Sequence, residues 1–266
     1  MPGNARRSIG VRAPILFISA IAWMMLLVNP GSMIALIHCP VTTSWASPMS
    51  FKMLVEMNPL SSLAEGWALM LVAMMAPTLT APVRYILERS FKRRRARSVA
   101  LFFIGYGAVW MVAGAVLLST ELLLSLLAPR SLLPAIMVGV VAFVWQCAPA
   151  KQRCLNRGHN HYALAAFGLD ADLDVFRFGM KHGVWCVGSC WALMLFPMLL
   201  PVGHFAGMAA VTFQVVSERL EQPRPPDWRL RGPVKLVRIL VQQARMGIQG
   251  TITGSAVLPT ALNPRR

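Results

Sequence analysis

Acidic side chains are scarce in this chain: 10 Asp and Glu stand against 26 Lys and Arg in 266 residues, a formal net charge of +16. Charge of either sign is scarce too, at 14% of residues, where a soluble domain carries about 25%. The sequence contains no phosphate-cradling glycine loop, no Gly-x-Ser-x-Gly elbow and no His-Glu-x-x-His pattern. The commonest nucleotide-dependent and hydrolytic mechanisms therefore find no support in it, and no catalytic set is predicted. The basic excess on its own points to nucleic acid. Against that stand a hydrophobic content of 56% and a mean hydropathy of +0.56, because a nucleic-acid-binding domain needs a polar surface as well as a basic one. The composition predicts a chain that sits in a lipid bilayer and has no nucleic-acid partner.

Long apolar runs are what the chain has in quantity. About 20 helical residues cross the hydrocarbon, where only backbone that bonds to itself is stable. Six runs qualify. The first extends from Ala13 to about Val28 and stops at Asn29-Pro30-Gly31. The second covers Glu65 to about Val83 and includes Pro77 and Pro82. The third is Val99 to Leu127, and the fourth Leu132 to Ala148, closed by Pro149. The stretch from Gly183 to Leu220 is too long for one span, and Pro197, Pro201 and Gly203 divide it into a fifth and a sixth. The expectation is an all-α polytopic membrane bundle of about six transmembrane helices over residues 1–220, followed by a basic cytoplasmic tail over 221–266.

Charge orients the spans. With the N-terminus inside, the segments 1–13, 84–98, 151–182 and the chain after 218 fall on one side and hold 24 of the 26 basic residues, leaving Lys52 and Arg130 outside. The positive-inside rule then places both termini in the cytoplasm of a cell with a bacterial inner membrane. Arg6-Arg7 before an apolar run resembles a signal peptide, but no small-x-small site follows at a suitable place, so the first span reads as an uncleaved anchor.

Trp67-Ala68-Leu69-Met70-Leu71, with Met74 and Pro77, recurs as Trp191-Ala192-Leu193-Met194-Leu195, with Met198 and Pro201; seven of eleven positions agree at an offset of 124. One copy lies on the second span and one on the fifth, the middle helices of two three-helix halves. One reading is an inverted three-plus-three repeat of the kind transporters use, with a site between the halves. The other is two helices that independently use Trp at an interface and Met as filler.

The strongest chemical signal is His182-x3-Cys186-x3-Cys190-x3-Met194-x3-Met198. Residues four apart share a helix face, and each step rotates that face by about 40°, so three consecutive members can converge on one ion while all five cannot. Imidazole, thiolate and thioether are soft ligands suited to Cu(I), or to Zn(II) with further His or Cys. The plainer reading of Met194 and Met198 is packing. Cys154, His159 and His161 follow the fourth span on the same side and are candidates to complete the shell. Asp170, Asp172 and Asp174 are expected to form a solvated acidic turn that pairs with Arg177, Lys181 or the basic loops. Of the acids near spans, Glu65 and Glu121 fall toward the helix ends rather than mid-membrane, so a proton relay is not indicated.

These residues resemble a family of bacterial predicted metal-binding integral membrane proteins, one of the domain-of-unknown-function families. The likeness is carried by Trp67 to Pro77 (W-x-L-M-x2-A-M-M-A-P), by Gln146, Pro149, Lys151, Cys154 and Leu155 (Q-x2-P-x-K-x2-C-L), and by Cys186, Gly188, Cys190, Trp191, Leu193 and Met194 (C-x-G-x-C-W-x-L-M). Two thiols of the family pattern are missing: Gly158 replaces a second loop Cys, and Ser189 the first of an adjacent pair. Histidines standing in for the loop thiol, giving a mixed nitrogen and sulfur site, is one consequence; loss of metal binding is the other.

The resulting expectation is a soft-metal protein of the inner membrane that handles copper, or alternatively zinc, near the cytoplasmic face through Cys154, His159, His161, His182, Cys186, Cys190 and Met194. It would serve a metalloprotein client. Two alternatives stay open: a thiol redox protein using Cys186 and Cys190, and a small transporter. In the tail, Lys235, Arg238 and Arg245 interleave with Leu236, Val237, Ile239, Leu240 and Val241, which predicts an amphipathic helix from about Val234 to Met246 on the anionic inner leaflet, or alternatively a partner-docking helix.

Overall fold

The computed structural model describes residues 3–28, 60–128, 131–160, 162–165, 167–200, 202–233 and 235–243. Every regular element among them is helical, as the composition predicts. His38, Cys39, His161, Pro201 and the part of the predicted tail helix beyond residue 243 lie outside the described residues.

Helix α1 (Gly3–Val28) packs against α2 (Leu60–Met75). Pro77 and Pro82, which punctuate the second apolar run, each fall in the first turn of a helical segment, where the missing amide hydrogen has no partner to lose. Pro77 opens a 3-10 turn (Ala76–Leu79), and Pro82 sits near the start of α3 (Thr80–Arg89). A second 3-10 turn (Lys92–Arg94) leads into the long α4 (Arg95–Leu127). Helix α5 (Leu133–Cys147) stops at Ala148, whose backbone is extended at φ −68 and ψ 141, because a residue before proline is pushed out of the helical region.

The chain does not become a loop there, as the polar composition suggested. Pro149 opens a further helix, α6 (Pro149–His159), inclined at 63° to α5. The acidic stretch is likewise not a turn. It forms the first turns of α7, which runs unbroken from Gly168 to Met198. The predicted division after Pro197 holds: α8 begins at His204 and ends at Arg219. Gly203 precedes it with a φ of +80, a conformation that side chains with a Cβ disfavour. A last helix, α9, occupies residues 235–243.

Among the described residues three helices are long and apolar enough to cross a membrane, Val11–Val28, Leu63–Arg89 and Lys92–Ser125, and α5 with α6 makes a fourth if the bent pair is one span. The 16 residues of α8 are short against the roughly 20 that a span needs.

Helix α7 lies at the centre, touching α4, α5, α6 and α8, with α4 as its most extensive partner. Small residues permit that approach. A Cβ on Gly179 would collide with the Phe102 backbone, and one on Gly183 would press on Val109 and the Tyr106 carbonyl. This is the small-x3-small arrangement that lets two helix backbones meet. The two tryptophans of the sequence repeat have non-equivalent neighbours. Trp67 donates from Nε1 to the Trp110 carbonyl on α4 at 3.0 Å, whereas Trp191 stacks edge-on with Trp145 of α5, ring centroids 5.6 Å apart. Met70, Met74, Met194 and Met198 are all core residues.

Candidate metal centre

Helix α7 carries its chemistry on a buried stripe. Ala171, Val175, Phe178, His182, Cys186 and Cys190 are all buried and recur at steps of three or four, the spacing of one helix face. At the entrance of α7, Asp172 accepts from Arg94 Nη2 at 2.5 Å and Arg97 Nη2 at 2.7 Å. The basic loop thus ties the start of α7 to the start of α4, which brings Tyr106 opposite Cys186.

The two thiols are sealed, both 0% exposed. Cys190 Sγ donates to the Cys186 carbonyl at 3.0 Å, and the Tyr106 hydroxyl lies 3.4 Å from Cys186 Sγ. Ser189, where the resembling family carries another thiol, donates instead to the Cys186 carbonyl at 2.8 Å. Arg219, the last residue of α8, lays its guanidinium against α6 at Gly158 and acts electrostatically on both thiols. Its buried Nε and Nη2 find no hydrogen-bond partner among the described residues. A guanidinium enclosed without a carboxylate is costly; its electrostatic partners here are Cys186, Cys190 and Tyr106.

The remaining predicted ligands are distributed around this pair. His182 sits one turn earlier, among Phe102, Tyr106 and Phe178, with ring centroids 5.9, 6.0 and 6.1 Å away. Met194, one turn later, is buried in the core. Cys154 on α6 meets α7 at Gly188, where a Cβ would stand 2.9 Å from its sulfur. Gly188 is two residues from each thiol, about 200° around the helix, so Cys154 approaches the far side of α7. His159 ends α6 with Nδ1 2.8 Å from the Leu155 carbonyl and Nε2 3.3 Å from that of Arg219, leaving neither nitrogen turned toward the thiols. Among the described residues no three His, Cys, Asp or Glu side chains come together as a metal shell.

Beside the thiols lies a polar network. Lys151 Nζ donates to Glu218 Oε1 at 2.9 Å and to Gln146 Oε1 at 2.5 Å. The same glutamate oxygen accepts from Gln214 Nε2 at 2.7 Å and from Gln146 Nε2. Both glutamine amides also donate to the Arg231 carbonyl at 2.9 Å. In return Arg231 donates from Nε to Gln152 Oε1 at 2.8 Å and from Nη1 to the carbonyls of Gln146 and Ala148 at 2.6 and 3.2 Å. Burial draws the Arg231 guanidinium down from its usual pKa; it stays cationic. The segment after α8 is thereby pinned into the α5–α6 elbow. Lys151 also acts electrostatically on Cys190, so the network and the thiols form one buried unit.

Sequence reasoning singled out Gln146 and Lys151 as motif residues without a role, and missed Tyr106, Glu218, Arg219 and Arg231. A Glu-Arg pair closing an apolar run is itself a signal, since charge at the edge of a span needs a partner. A family model described as PpoB2, copper chaperone, matches residues 64–240. No curated protein and no solved structure matches the chain.

Proposed function

The chain belongs to the PpoB2 copper chaperone family, and on that footing we propose that it is a six-span protein of the bacterial inner membrane, both termini cytoplasmic, that holds Cu(I) on Cys186 and Cys190 near the cytoplasmic face and passes it to a metalloprotein client. The observation that carries the reading is the sealed thiol pair faced by Arg219. Two thiolates and one Cu(I) bear a net single negative charge, and one guanidinium neutralises it. Soft sulfur selects Cu(I), whereas Zn(II) wants four ligands, and no shell of three His, Cys, Asp or Glu forms among the described residues. His182 and Met194 extend the same face by one turn in each direction, as members of the soft-ligand ladder along α7. The charge sorting of the sequence supports the membrane orientation.

Purified full-length protein under reducing conditions should bind one Cu(I) per chain against a chromogenic Cu(I) chelator. The Cys186→Ser/Cys190→Ser variant should bind none. Protein that takes up no Cu(I) and readily closes a 186–190 disulfide would replace the copper reading with thiol redox chemistry.

A further inference from the structure

Between α6, the segment after α8 and the start of α9 lies a cavity of about 640 Å³, within the range of small-molecule sites, roughly 300–1,000 Å³. Five cations line it: Arg224, Arg229, Arg231, Lys235 and Arg238. Two of them are committed elsewhere, Arg231 to the α5–α6 elbow and Lys235 to the Leu220 carbonyl. The guanidinium groups of Arg224, Arg229 and Arg238 make no hydrogen bond or ion pair among the described residues. Glu221 and Asp227 also line the cavity and leave it with a net positive charge of three.

Three uncommitted guanidiniums around one cavity are suited to an anion with several oxygens, because Arg presents a fork of donors that fits phosphate. What lies beside the cavity selects the source of that phosphate. Leu230 lines it and is 61% exposed, its neighbour Trp228 is 69% exposed, and α9 turns Val237, Leu240 and Val241 outward. A soluble anion has no use for this apolar rim. An acyl chain does, and Trp is the residue that settles at the level of lipid headgroups.

We propose that this cavity holds the headgroup of an anionic phospholipid from the inner leaflet, with Arg224, Arg229 and Arg238 on the phosphate and the Trp228–Leu230 and α9 side chains against the acyl region. The proposal rests on the membrane placement given under Proposed function. It makes lipid part of the folded protein, because the same segment that forms the cavity also inserts Arg231 beside the Lys151–Glu218 pair. A basic cavity on the cytoplasmic side of a helix bundle is a physically favourable place for such a headgroup.

The test uses full-length protein in uncharged detergent, titrated with phosphatidylglycerol or phosphatidylcholine and followed by native mass spectrometry. One phosphatidylglycerol per chain should be retained at concentrations where phosphatidylcholine is not. The Arg224→Gln/Arg229→Gln/Arg238→Gln variant should weaken it about fivefold per residue, on the order of a hundredfold together, with Cu(I) stoichiometry and the unfolding temperature in lipid-free detergent unchanged. Equal retention of the two lipids, or retention unaffected by the triple variant, overturns the proposal. Displacement of phosphatidylglycerol by an equal concentration of inorganic phosphate overturns the lipid assignment in favour of a free-anion site. A protein that stays monodisperse without detergent overturns the membrane placement itself, an outcome distinct from failed lipid selectivity in protein that needs detergent.

Discussion

Breaking the Lys151–Glu218 pair one side at a time should cost far more than breaking it on both sides. The two side chains are 0% and 2% exposed and stand 2.9 Å apart. At that distance and an effective dielectric of about 20, the charges attract by about 6 kcal/mol, most of which offsets their removal from water. Removing one partner leaves that desolvation cost without its compensation, typically about 3–5 kcal/mol.

The two single changes are not equivalent. In Lys151→Met the carboxylate keeps its bonds from Gln146 and Gln214 and the nearby charge of Arg231, whereas in Glu218→Gln the ammonium keeps amide oxygens as acceptors but no counter-charge, so Glu218→Gln should be the worse. For a chain of this length about 2–4 °C is lost per kcal/mol. Each single variant should therefore melt roughly 6–20 °C below the parent when thermal unfolding in detergent is followed by circular dichroism. The double variant Lys151→Met/Glu218→Gln should recover at least half of the larger loss, because no uncompensated charge remains. A double variant whose loss equals the sum of the two singles would show that the pair is not coupled, and the account of this network would be wrong.

Three further outcomes follow from the same geometry. Cys154→Ser should leave one Cu(I) per chain, since Cys154 meets the far side of α7; a loss of copper would bring α6 into the site. Gly179→Leu should destabilise by about 3 kcal/mol or more by driving α4 from α7, with Gly107→Leu as the control because nothing lies within 4 Å of a Cβ there; equal yield and melting of the two variants would refute the close-approach argument. Arg231→Ala should free the segment after α8 and speed limited proteolysis within residues 222–230, while Arg229→Ala, whose side chain holds nothing among the described residues, should not.

What the sequence disclosed and what it hid divide along physical lines. Apolar runs and Pro or Gly breaks announced α1, α4, α5 and the interruption between α7 and α8, because the bilayer requirement is local and composition carries it. Helix α6 and the first turns of α7 went unseen because charged residues masked their periodicity. Ala171, Val175, Phe178 and His182 already stood at helical spacing, and Lys151, Gln152 and Leu155 are buried despite the polar setting. The thiol pair was legible since both members lie on one helix. Tyr106 is 80 residues from Cys186 and Glu218 is 67 from Lys151, so those contacts exist only once α4 and α8 are packed against their neighbours, and no local pattern encodes them.

The complete enclosure of Cys186 and Cys190 bears on timing as well as on affinity. A metal held there has no open face for an incoming client thiol, so exchange must wait until α8 swings Arg219 aside or α4 draws Tyr106 away. The residence time is then set by how often the helices part, an event governed by local opening free energy, and the strength of the sulfur–metal bond enters only after the opening has occurred. With Cu(I) on the proposed pair, the enclosure would act as a latch before the sulfurs act as a chelator. A client that moved α8 would then empty the proposed site faster than a small-molecule thiol, which must wait for spontaneous opening.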